Sequence, residues 1–120
     1  MGKEIQAGGK YVSINAFENE VIRFCRHALG SLNTYGISPP LFAFLTFVDV
    51  SGYELNYDPY LRRRAGTPVR QDVLMIPEIE ISDLSMAPDQ VLRPLFDMAW
   101  NGFGFPRSFS YDENGRYDPQ

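Results

Sequence analysis

The sequence predicts an α+β fold, in which a small, mostly antiparallel sheet of three or more strands packs against two helices. Three observations carry that prediction. Residues 15–35 repeat apolar side chains at helical spacing. Leu41–Val48 is an apolar, aromatic run of strand length. Residues 72–81 and 88–101 then repeat a strand pattern followed by a helical one. At 120 residues the chain fits one domain, and a domain of that size buries roughly two thirds of its unfolded surface.

Residues 1–9 read as a flexible leader or a short edge segment, and residues 10–120 as the α+β domain. In the first helix, Asn15 is the expected cap, with Glu18 three residues on as its capping-box partner. Phe17, Val21, Phe24, Cys25, Ala28 and Leu32 line one face, which Ile22 and Leu29 widen, and Gly36 marks the stop. Ile37-Ser-Pro-Pro is extended, because a residue before proline avoids the helical region.

Leu41–Val48 is expected to be the central strand. It is apolar on both faces, with Phe42, Phe44 and Val48 on one and Leu41, Ala43, Leu45 and Phe47 on the other. Such a strand calls for cover on both sides. Tyr53, Leu55 and Tyr57 alternate with Glu54 and Asn56 as a half-exposed strand after the Ser51-Gly52 turn. Residues 58–68 form a loop. Residues 72–81 form a third strand, placed at an edge or bulged because Pro77 has no N–H to donate. Pro88 suits the first turn of the second helix. Pro94 predicts a kink or a late start near Arg93, and Gly102 or Gly104 ends the helix.

Composition excludes several functions. Eleven basic against fifteen acidic residues leave a net charge of −4, which argues against strong nonspecific nucleic-acid binding. A single Cys forms no internal disulfide, and a reducing, cytoplasmic compartment is expected. No stretch reaches the roughly 20 apolar residues of a membrane helix. One Cys and one His supply no structural zinc site. Asp112-Glu-Asn-Gly lacks the ligand series and closing Glu of a calcium loop and reads as a turn. No phosphate-binding glycine motif or nucleophile elbow is present. Cys25 and His27 stand two apart and share no helix face, so Cys25 reads as core and His27 as surface. No metal, cofactor or catalytic residue is expected.

Three regions remain as candidate sites. Phe42, Phe44 and Phe47 are candidates for an interface, because two helices cover only one face of a sheet. Arg93, Asp97, Trp100 and Asn101, with Tyr111 and Asp112 returning nearby, form either a wall of a small-molecule pocket or a packed, hydrogen-bonded helix anchor. The packed anchor is the preferred reading. Tyr60, Arg62, Arg63 and Arg64 are the basic, aromatic-flanked segment that could contact nucleic acid.

Ile76-Pro-Glu-Ile-Glu-Ile-Ser-Asp, then Val91-Leu-Arg-Pro-Leu-Phe-Asp-Met-Ala-Trp-Asn-Gly-Phe-Gly, then Arg107-Ser-Phe-Ser-Tyr-Asp-Glu-Asn-Gly-Arg-Tyr complete the pattern. Residues 72–117 resemble the C-terminal extension of bacterial proteins that carry a Schlafen-type, AlbA-like DNA-binding domain. The resemblance implies an accessory module, in assembly or partner contact, of a kind that a mobile element could carry. It transfers no catalytic residue, and the DNA-binding domain itself has no counterpart here. The expected function is therefore a non-enzymatic interaction module that self-associates as a homodimer or contacts another protein.

Overall fold

The computed structural model describes residues 3–6, 9–57 and 67–119, with side chains from Lys10 onward. In chain order the elements are β1 (Lys3–Gln6), β2 (Gly9–Val12), α1 (Ile14–Thr34), β3 (Leu41–Val48), β4 (Tyr53–Leu55), β5 (Val73–Ile81) and α2 (Pro88–Gly102). The fold is α+β, as the two periodicities require.

The cap of α1 lies two residues before the expected one. Ser13 is the N-cap, and its hydroxyl accepts from the Ala16 amide at 3.2 Å. Asn15 lies inside the first turn, so Glu18 has no capping role and is free to face the core. Replacing Ser13 with Ala orphans the Ala16 amide, and should lower stability by about 1 kcal/mol in a denaturant titration. At the other end Gly36 takes φ 72°, and the Ile37 amide reaches back to the Leu32 carbonyl at 2.9 Å. This is the six-to-one closure that a left-handed glycine permits.

The strands make two sheets rather than one. Among the described residues β3 pairs only with β5, antiparallel, from Leu41 opposite Ile81 to Val48 opposite Val73, with a register shift between Ala43 and Leu45. β2 pairs antiparallel with β1 and parallel with β4. β3 is therefore not a central strand. The chain turns away from it at Asp49 (φ 56°) and Gly52 (φ 82°), with the Tyr53 amide donating to the Val50 carbonyl. That reversal carries β4 onto β2 instead of back along β3. The segment expected as a flexible leader or a short edge segment contributes β1, at the edge of its sheet, and the start of β2.

α2 starts at Pro88 and continues through Pro94, so the expected late start does not occur. Pro94 lies on the exposed side, where water can serve the carbonyl that a proline leaves without its helical donor. The helix ends through Gly104 at φ 90°, with Phe105 donating back to the Trp100 carbonyl. The core lies between α1, α2 and the inner face of β3 and β5. Phe47 sits at its centre, 5.3 Å edge-on from both Phe17 and Phe103.

Candidate functional site

Two regions stand out: a buried polar cluster around Glu18 and an open apolar flank along β3. The cluster is built by the C-terminal segment folding over α1 and α2. Glu18, fully buried, accepts from the Trp100 indole at 3.0 Å, the Ser110 hydroxyl at 2.6 Å, the Tyr117 hydroxyl at 3.0 Å and, more weakly, the Ser108 hydroxyl at 3.4 Å. The Ser110 amide donates to Ser108 Oγ, and the Ser108 amide to Asp97 Oδ1 at 2.9 Å. Neutral donors thus satisfy the carboxylate. The ion pair seen among the described residues is elsewhere, between Glu20 and Arg23 on the exposed side of α1. Burial pushes the Glu18 carboxyl above its ordinary range, and the four hydrogen bonds only partly offset that. Burial, then the negative charge of Glu18, holds the Tyr111 and Tyr117 phenols firmly protonated.

The residues singled out on α2 meet here, as an anchor. Trp100 has 0% of its surface exposed and is ringed by Tyr57, Phe105 and Phe109 at 5.2–5.7 Å. Arg93 lies over the Tyr111 ring, 5.4 Å from its centre, and does not pair with Asp97, whose carboxylate is taken by the Ser108 amide. The Asn101 amide group caps the chain reversal by donating to the Phe105 and Pro106 carbonyls. Tyr111 donates to the Asp89 carbonyl at 2.5 Å. Asp112 closes a turn, accepting from the Asn114 and Arg116 amides, with Gly115 at φ 84°. A Cβ at Gly115 would sit 2.7 Å from the Arg93 guanidinium. Gly115→Ala should therefore cost about 1–2 kcal/mol by combining left-handed strain with this contact, measurable as a lowered Tm.

The second region needs no buried polar group. Along β3 the exposed side chains are Phe42, Phe44, Thr46 and Val48, and on β5 Val73, Met75 and Glu80, the last opposite Phe42, join them. Phe44 is 73% exposed and Met75 74%. Phe47, grouped with Phe42 and Phe44 from the sequence, points to the opposite face and is 1% exposed. Beside β3 lies a cavity of 640 Å³ bordered by α1, with Val21, Phe24, Cys25 and Ala28 facing Leu41–Leu45. A second, of 540 Å³, adjoins Ala16, Val21, Leu45 and Phe47. Phe24, expected on the buried face of α1, stands 73% exposed at this margin. The reason is that α1 packs chiefly on α2, so the part of its apolar stripe nearest β3 meets open space.

Trp100 lines neither cavity, nor a third, of 400 Å³, where His27 and Arg26 border the C-terminal half of α1. Burial raises the Cys25 thiol above its ordinary range, which keeps it protonated and poorly nucleophilic. Among the described residues no three His, Cys, Asp or Glu gather as metal ligands, and no helix is long and apolar enough to cross a membrane. Tyr60, Arg62, Arg63 and Arg64 lie outside the described residues. No family model, curated protein or solved structure matches the chain.

Proposed function

We propose that this chain is a non-enzymatic accessory module that works by self-association through the sheet of β3 and β5, whose outer face is apolar. The observation that carries the proposal is the sharing of one sheet face by Phe42, Phe44, Val48, Val73 and Met75, all exposed. Water-facing sheet surfaces normally alternate apolar-in with polar-out. Here the outward positions are largely apolar, and contiguous apolar surface of that kind marks an association site. The chemistry elsewhere supports a binding role over a catalytic one. Glu18 is closed off and occupied by four donors, and Cys25 is a protonated thiol with the exposed His27 on a different face of α1.

Light scattering after size exclusion tests this. A mass of twice 13.7 kDa at micromolar concentration is expected. Phe44→Glu should give the one-chain mass with unchanged circular dichroism. A symmetric interface loses two aromatic side chains and gains two charges in that variant, which weakens association by on the order of 10²–10⁴-fold. A wild-type protein that stays at one-chain mass across the whole concentration range would overturn the proposal.

A further inference from the structure

Self-association through β3 is geometrically restricted by the unlike edges of its sheet. β5 presents an edge carrying Pro77, with no N–H to donate, the charges of Glu78 and Glu80, and the register shift opposite Ala43–Leu45. Proline, inward or lateral charge and bulges are the devices by which edge strands avoid pairing. β3, Leu-Phe-Ala-Phe-Leu-Thr-Phe-Val, has none of them. Among the described residues its second edge has no strand partner. The cavities of 640 and 540 Å³ lie side by side along that edge, so the space a further strand would occupy is open.

We infer that this space is filled by β3 of a second copy, added antiparallel and edge to edge, so that two two-stranded sheets become one four-stranded sheet across a two-fold axis. The inference rests on the self-association proposed above and specifies its geometry. On the continuous sheet the outward side chains of the two β3 strands stand beside one another, residues 42, 44, 46 and 48 against the partner's, so each covers part of the other. Edge pairing adds the backbone hydrogen bonds of β3 and brings the wall of α1, apolar at Val21, Phe24 and Ala28 and charged at Glu20, into the contact. Charge favours the antiparallel sense. The chain carries −4, and a parallel pairing would align Asp49 with the partner's Asp49, whereas the antiparallel one puts them at opposite ends. An uncharged β3 sets no like charges against each other.

The alternation of β3 limits the register further. Directly opposed residues in an antiparallel pair point to the same face. Residues 42, 44, 46 and 48 point out and 41, 43, 45 and 47 point in. The two-fold axis must then pass through a residue, not between two. Only axes at Phe44 or Leu45 align seven of the eight strand residues. The first sets Phe44 against the partner's Phe44. The second sets it against the partner's Thr46.

Variants with one added cysteine test this with the full chain. Cα atoms of opposed residues lie ~4.5–5.5 Å apart, within disulfide reach, while sheets packed face to face stand ~10 Å apart, beyond it. Phe44→Cys or Leu45→Cys should cross-link into a covalent dimer under mild oxidation, read on a non-reducing gel. Phe42→Cys should not, because its copies would lie at least ~13 Å apart along the strands. Wild type, with Cys25 buried, gives the baseline. If the variants lose their circular dichroism, slowed exchange of β3 amides in wild type at rising concentration is read instead. A dimeric mass with neither cross-link, or with concentration-independent exchange in the fallback, overturns edge pairing and leaves self-association standing. A one-chain mass at every concentration overturns both.

Discussion

Replacing Glu18 with Ala is expected to lower the unfolding free energy by about 3–5 kcal/mol, the range for removing one side of a buried charged network. Four donors converge on this carboxylate: Trp100, Ser110, Tyr117 and Ser108. Trp100, Ser108 and Ser110 lose their partner in a place water does not reach and Tyr117 in a half-buried one, and an unsatisfied buried donor costs about 1–3 kcal/mol. Local relaxation of the C-terminal segment recovers part of that sum. For a stability of about 5–15 kcal/mol the variant is at the margin of folding, and its Tm should fall by roughly 10–20 °C. The emission of Trp100 should shift to the red as the segment over it loosens. A loss under 1 kcal/mol would mean that the four hydrogen bonds do not hold the C-terminal segment.

The same residue sets a pH dependence whose sign can be worked out. Burial raises the folded-state pKa of Glu18 above its ordinary 4.5. Between those two values the native protein holds a proton that the unfolded chain has released, so stability declines as pH rises. The contribution is fully present below 4.5 and is lost as pH passes through the raised value. Glu20, Asp83 and Asp112 have lowered values and act in the opposite direction. The contrast is therefore read as a difference between wild type and Glu18→Gln, measured by urea titration at several pH values. That difference should move against wild type as pH rises above 4.5. A pH-independent difference would assign Glu18 an unshifted carboxyl.

Glu18 also shows where sequence reasoning stops. Its spacing from Asn15 fits a capping box, and nothing local contradicts that. The partners that draw it inward lie 82, 90, 92 and 99 residues along the chain, and no local pattern encodes such contacts. Ser13 and Asn15 are both competent caps, and which one starts the helix depends on how β2 delivers the chain to it. The helices and the strands at Leu41 and Val73 were legible because their apolar periods are long and regular. The pairing of β4 with β2 was not, because three residues with one turn on each side fit either sheet. The outward face of β3 was legible from alternation alone: Phe42, Phe44 and Val48 are exposed together. That Phe24 would join them at the margin was not, since its helical spacing matches that of the buried residues and only the separation of α1 from β3 exposes it.

Phe47→Glu and Phe44→Glu make the same chemical change three residues apart on one strand, and they should give opposite results. Phe47 is 1% exposed and packs edge-on against Phe17 and Phe103. Removing a buried Phe ring alone costs about 3–5 kcal/mol. Burying a carboxyl with no donor in reach adds several more, whether it stays ionised or takes up a proton. The sum is comparable with the whole stability of a domain of this size, so Phe47→Glu should be largely unfolded at 25 °C, with most of its far-UV circular dichroism lost. Phe44 projects from the opposite face into solvent, where an added carboxylate stays hydrated and costs within about 0.5 kcal/mol of fold stability. What that variant loses is the apolar surface that a second copy would cover. The pair thus separates two roles that a bare count of phenylalanines in β3 would merge. If Phe47→Glu folds with wild-type stability, the inner face of β3 is not the core. If Phe44→Glu unfolds instead, the outer face is covered within the chain, and a second copy is not what covers it.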